Sequence, residues 1–454
     1  MQNGMTYRGH VRAITVLGLP LIGGHLAQFA IGLTDTVMLG WYGVEALAAV
    51  TLASSYFFVL FLFGAGFGWA VMPMVATAAA EEDQTRIRRS TRMGLWLSLI
   101  YSVIMMPLLW WSYPVLIAIK QEPQVAETAS EYLRIAGWGL FPALLVMVMK
   151  SYLAALERTQ IVLWITVVAA VVNGLTNYAL IFGNWGAPEL GVQGAAIASV
   201  VTQIVSLLCV VIYAVRVLPE HSLFQRFWRP DWDMFMSVLR LGVPIGLTTL
   251  AEVSLFAASA VMMGWLGPVP LAAHGIALNL ASATFMVHLG LSNVATIRAG
   301  NALGRQDRAH LEKGAVTVTV MSLIMSLATI ILFLTCAEPL ISLFMKSGDP
   351  QRPEILMIGT GLLAMAALFQ LVDGAQVIAL GLLRGLQDAK APMVMAALSY
   401  WVIGLPASYY FGFVQGMNGI GVWLGLVLGL ACAAVLLMAR FWLHAVRAIA
   451  LPAT

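Results

Sequence analysis

The chain has 454 residues, of which 61% are hydrophobic and only 10% are charged, where a soluble globular chain carries roughly 25% Asp, Glu, Lys and Arg. Its 24 basic and 21 acidic side chains cannot cover a water-facing surface of that size. A soluble domain is excluded, and lipid is the solvent for most of the chain.

A bilayer-spanning helix takes roughly 20 mainly apolar residues. Apolar stretches between polar punctuation predict spans over 13–40, 46–75, 93–119, 131–156, 160–183, 192–218, 237–265, 270–297, 315–345, 354–383, 391–414 and 419–445. The stretches are continuously apolar and too long for the roughly ten-residue alternating strands of an outer-membrane barrel. The predicted class is therefore an all-α polytopic membrane protein with twelve transmembrane helices. Arg8 and Arg12 precede the first stretch as they would in a signal peptide, but the apolar run continues through Gln28 and Asp35 without a small-residue cleavage site. It is expected to be the first span rather than a cleaved segment. Cys209, Cys336 and Cys432 lie far apart within apolar runs, without metal-ligand spacing, and are expected to be structural.

Basic residues concentrate in cytoplasmic loops of membrane proteins. With both termini cytoplasmic, the twelve spans put 20 of the 24 Lys and Arg on that side, leaving Lys120, Arg134, Lys346 and Arg352 on the other. A miscounted span would scramble that split. The net charge of +3 thus reports topology, and no nucleic-acid partner is expected.

Residues 17–50 align without a gap on residues 241–274, with 13 identities at a constant offset of 224. Two related six-helix bundles follow: an N-terminal lobe over 13–218, a cytoplasmic linker over 219–236 and a C-terminal lobe over 237–447. Six is even, so both halves enter the membrane in the same sense, as parallel repeats do in transporters.

Ionisable side chains within spans are costly and usually face a protein interior or a wet cavity. Asp35, Glu252 and Asp373 qualify by depth. No basic residue lies at matching depth in their predicted helices, so these acids invite a cation or a proton. Under the repeat Gln28 aligns with Glu252, and Asp35 with Ser259. Gln28 and Asp35, seven residues apart, share one helix face. Gln370, Asp373 and Gln376 form a polar stripe in the tenth span; Asn173 and Asn177 lie one turn apart in the fifth, as do Ser199 and Thr202 in the sixth. Carboxylate and amide oxygens are ligands a hard cation such as Na+ prefers. The alternative for each acid is an interhelical hydrogen bond of about 0.6 kcal/mol. His25, His274 and His288 are isolated and read as structural. Phe29, Phe256 and Met262, together with Gln28, Gln370 and Gln376, are candidates for a substrate-cavity lining whose aromatic and thioether members would adapt to flat organic cations.

The segments LGLPLIGGHLAQFAIGLTDTVMLG in the first span, NGLTNYALIFG in the fifth, AEVSLFAASAVMMGWLG in the seventh and LVDGAQVIALGLLRGLQDAKAPM through the tenth resemble those of the multidrug and toxic compound extrusion (MATE) family, in its bacterial NorM-like branch. The resemblance covers essentially the whole chain. It implies a secondary transporter and no enzyme: an antiporter in the bacterial inner membrane, acting as a monomer, that exports organic cations or amphipathic compounds in exchange for Na+ or H+, with no other cofactor. Carried over, Asp35, Asn173 and Asn177 would form an N-lobe coupling site able to hold Na+, with Thr202 beside it. Glu252 and Asp373 would be the C-lobe acids. Sodium-coupled members often carry a tyrosine one turn before the helix-10 acid, where this chain has Phe369; the lost oxygen weakens the case for a C-lobe Na+ site and leaves proton coupling as its competitor. A flippase for lipid-linked oligosaccharides would call for basic residues in the spans, and an intramembrane aspartyl hydrolase for a GxGD context; the spans offer acids and no such context.

Overall fold

The computed structural model describes residues 5–345, 348 and 350–449; Lys346, one of the four basic residues assigned to the minor side, lies outside them. Among the described residues, twelve helices are long and apolar enough to cross a membrane. They are α1 (Tyr7–Tyr42), α2 (Val44–Ala80), α3 (Gln84–Trp110), α4 (Pro123–Ala155), α5 (Thr159–Phe182) and α6 (Gly191–Val217), followed by α7 (Trp232–Leu266), α8 (Pro268–Arg305), α9 (Arg308–Thr335), α10 (Arg352–Gly385), α11 (Lys390–Val414) and α12 (Asn418–Ala445). In lipid a helix satisfies its own backbone within one segment, which is why apolar runs of this length settle as helices.

The offset of 224 continues in the structure well past the aligned sequence. Gly43 separates α1 from α2 and Gly267 separates α7 from α8 as single-residue joints, the latter at φ 124, in the region that favours glycine. Further along, Glu82 and Gln306 both adopt positive φ. The next residues, Asp83 and Asp307, cap α3 and α9 by accepting from Arg86 N and His310 N, each at 2.9 Å.

Two predicted spans end differently from expectation. The third, expected to run to 119, breaks at Trp111 and resumes as a short helix, Ser112–Ala118. The ninth breaks at Cys336 before Ala337–Ser342. Both also start earlier than predicted, because the aspartate caps sit in polar sequence beyond the apolar run. α11 contains π-helical turns at Leu398–Gly404 and Tyr410–Val414.

The chain divides into two compact units. The N unit is Gly23–Gly246; the C unit is Met1–Ile22 with Leu247–Thr454. The chain therefore passes from one unit to the other within α1 and within α7. Within the C unit, Arg298 of α8 donates to His10 Nδ1 of α1 at 2.8 Å and to His310 Nε2 of α9 at 3.0 Å. Small residues let α8 and α10 meet closely: Ser292 Oγ donates to Val377 O at 2.7 Å and Thr296 Oγ1 to Gly381 O at 2.9 Å. Such packing and interhelical bonding replace the hydrophobic drive that lipid removes.

Candidate coupling site

In the N unit, α1 carries Asp35 and α5 carries Asn173 and Asn177 one turn apart, which stacks the two amides on one face. Asn177 Nδ2 donates to Asp35 Oδ1 at 2.5 Å and to Asn173 Oδ1 at 3.2 Å. Both asparagines are fully buried, and Asn173 also reaches the Asp35 carboxyl. One amide NH2 thus serves two acceptors, and Asn177 Oδ1 is a buried oxygen with no hydrogen-bond partner. An orphaned amide oxygen beside a carboxylate is the donor set of a small hard cation or of a carboxyl proton. Asp35, Asn173 and Asn177 therefore fit Na+; once bound, the ion would supply the positive charge that balances the carboxylate.

Tyr132 of α4 is a further member that sequence spacing does not reveal. It is buried, its hydroxyl reaches Ser54 and Ser199, and it lies within electrostatic range of Asp35. Ser199 was expected only as the partner of Thr202 in a polar pair. Thr202 is buried, with its hydroxyl donating to Ala198 O of its own helix at 2.7 Å, while Gln28 is exposed and Phe29 half-buried.

In the C unit, Asp373 of α10 lies within electrostatic range of Glu252 of α7, so the structure brings these two acids together. Asp373 is almost fully buried, and its Oδ1 has no hydrogen-bond partner. No basic residue was expected at matching depth in the acids' helices, yet Arg384, just beyond the predicted tenth span and in the last turn of α10, lies within electrostatic range of Glu252. Its position at the end of an apolar run reads as a loop charge, but the side chain is only half-exposed. Tyr400, on the first π-helical turn of α11, also faces both acids. Its hydroxyl accepts from Gln376 Nε2 at 2.5 Å.

The polar stripe of α10 is engaged within the protein. Gln370 Nε2 donates to Ala281 O at 3.0 Å, and Gln370 and Gln376 are both fully buried. Phe256 meets Phe369 edge-on at 5.8 Å, and Phe369 meets Trp423 at 5.7 Å; Met262 is buried. Among the isolated histidines, His274 accepts from Trp423 Nε1 at 3.0 Å, and His288 bonds Ser322 at 2.9 Å. His25 lies within electrostatic range of Lys150, whose Nζ donates to Thr166 Oγ1 at 2.8 Å.

Twelve helices of membrane-spanning length carrying carboxylates among polar side chains fit an intramembrane transporter. The comparisons with known proteins show the family. A family model described as MatE matches residues 20–179 and 244–410, and the chain belongs to this family of transporters. It is 44% identical over 455 residues, covering 100% of this chain and 97% of the relative, to the "Probable multidrug resistance protein NorM" of Rhizobium meliloti. The protein of the same name from Agrobacterium fabrum is 45% identical over 434 residues, covering 95% and 93%. The fold matches the crystal structure of the eukaryotic MATE transporter AtDTX14, with TM-score 0.86, 18% identity and 98% of each chain covered. It also matches an outward-facing MATE transporter of the MOP superfamily, with TM-score 0.87, 21% identity and coverage of 98% and 99%.

Proposed function

We propose that this transporter is an antiporter that exports cationic or amphipathic organic compounds and takes up Na+ or H+ in return. The relatives' designation as probable multidrug resistance proteins supports the cargo class. The observation that carries the coupling reading is the arrangement of Asp35, Asn173 and Asn177, with its unsatisfied amide oxygen. Asp35 is the exchangeable carboxylate, the two asparagines orient it and supply neutral oxygens, and Glu252 with Asp373 forms a second ion-binding pair in the C unit. Neutralising a carboxylate removes its attraction for a cationic cargo. Exchange then requires only that ion and cargo bind the two access states with different affinity. The protein resides in the bacterial inner membrane with both termini cytoplasmic, as the split of basic residues favours, and works as a monomer.

The test is ethidium efflux from proteoliposomes under an Na+ gradient alone and then a proton gradient alone. One of the two gradients should drive efflux, and Asp35→Asn should abolish it while leaving the protein folded in the membrane. Efflux that follows neither gradient, or that persists unchanged in Asp35→Asn, would reject the proposal.

A further inference from the structure

The segment between α6 and α7, residues 218–231, joins the ends of two spanning helices and therefore lies at the level where hydrocarbon gives way to headgroups. Its inner side is fixed to α3 and α4. Arg92 Nε donates to Leu223 O at 2.7 Å, and its Nη2 donates to Ser222 O at 3.2 Å and to Gln225 O. Trp96 Nε1 donates to Phe227 O at 2.8 Å, and the two rings stack 5.2 Å apart. Arg89 pairs with Asp231 through both carboxylate oxygens, and Tyr152 bonds His221. His221 and Leu223 are buried beneath.

The outer side is different in chemistry. Trp228 is 76% exposed and Trp232 is 71% exposed; Arg226 and Arg229 are also exposed. Among the described residues, neither guanidinium has an ion-pair partner. Arg226 is held at positive φ, an uncommon conformation for a residue with a side chain, so the turn that presents these residues is specifically shaped. Two indoles interleaved with two free guanidiniums on a rigid base is poorly suited to open water. It suits the membrane interface, where tryptophan concentrates, and an anionic headgroup matches the unpaired positive charge.

We infer that residues 224–232 form a docking surface for anionic phospholipid headgroups, with Arg226 and Arg229 on the phosphates and Trp228 and Trp232 seated among the glycerol esters. Arg89, Arg92 and Trp96 act as positioning residues that hold this surface in shape. The inference is independent of which ion or cargo the transporter carries.

The test titrates the intact protein in detergent with short-chain phosphatidylglycerol, short-chain phosphatidylcholine or inorganic phosphate. Binding is read as the fluorescence change lost in Trp228→Phe. Phosphatidylglycerol should bind more tightly than phosphatidylcholine, and inorganic phosphate should leave the signal unchanged. At roughly 1 kcal/mol per basic residue near an anionic surface, R226Q/R229Q should weaken phosphatidylglycerol binding about 25-fold. R226K/R229K, which keeps the charge, should restore most of it. Equal binding of the two lipids, an unchanged R226Q/R229Q, or the same response to inorganic phosphate would each overturn the inference. Because all four side chains are exposed, these changes leave the fold in place, and the readout does not depend on transport.

Discussion

Asn177 holds Asp35 and Asn173 with a single amide nitrogen, at 2.5 and 3.2 Å, and so links α1 to α5 through the carboxylate proposed for coupling. A hydrogen bond to a charged group contributes about 1.5–3 kcal/mol. Asn177→Ala is expected to raise the ion concentration giving half-maximal efflux by about tenfold or more, with maximal efflux less affected. Proteoliposome efflux measured across a series of ion concentrations checks this, and an unchanged half-maximal concentration would remove Asn177 from the site.

The aspartate caps allow a test of the repeat as an energetic duplication. Losing a helix cap typically costs about 1 kcal/mol. Asp83→Ala and Asp307→Ala should each lower stability by about that amount, and the double variant by about the sum, since the caps share no partner. Thermal unfolding in detergent provides the comparison. One silent cap would show that the two helix starts, alike in geometry, differ in strain.

Gly425 of α12 faces the backbone of Ser408 in α11, and a methyl group there would overlap it. Backbone cannot swing aside as a side chain does, so Gly425→Ala should destabilise the C unit by at least the 1–3 kcal/mol typical of overpacking. The expected result is a lowered melting temperature in detergent; a melting temperature equal to the parent's would mean that α11 shifts freely.

Asp231, in the loop before α7, is held below the usual carboxylate range by its hydrogen bonds from Arg89 and then from Met234 N. Because its folded pKa is depressed, the pair's stabilisation is fully present above the ordinary carboxylate value near 4 and fades as pH falls through the lower, folded value. Both side chains are partly exposed, so the contribution is about 1 kcal/mol or less. Hydrogen-exchange protection of residues 222–231, taken relative to intrinsic exchange at each pH, should fall on acidification below about pH 4, and Asp231→Asn should exchange faster already at neutral pH. Equal exchange in the variant and the parent at pH 7 would disprove the contribution.

Much of the architecture is legible in the sequence because lipid imposes one rule, continuous apolarity over a bilayer thickness, and twelve stretches obey it. The half-buried Asp35 with the buried Asn173 and Asn177 is legible for the same reason, since polar groups stand out against such a background. The breaks at Trp111 and Cys336 are hidden because the sequence stays apolar across them, and periodicity records composition rather than backbone direction. Arg384 and Tyr400 escape notice for a different reason. One lies where an apolar run ends and the other among many aromatics, and only the packing of α7, α10 and α11 brings them toward Glu252 and Asp373. Gln370 and Gln376 show the converse: a polar stripe visible in sequence whose partners, Ala281 O and the Tyr400 hydroxyl, are supplied by distant segments.

The glycine joints give each of the two acids proposed for coupling a reference point on its own helix. Asp35 lies eight residues before Gly43 and Glu252 fifteen before Gly267, roughly 12 and 22 Å along their own helices at 1.5 Å per residue. In a hydrocarbon layer about 30 Å thick, a charge entering from the joint end would traverse a much larger share of the membrane voltage to reach Glu252 than to reach Asp35. At about 2.3 kcal/mol per charge per 100 mV for a full crossing, the seven-residue displacement between duplicated helices would, under the proposed ion coupling, make Glu252 the more electrically sensitive of the two. Duplication followed by moving a single acid two turns would then give one chain a second ion site that reads voltage as well as concentration.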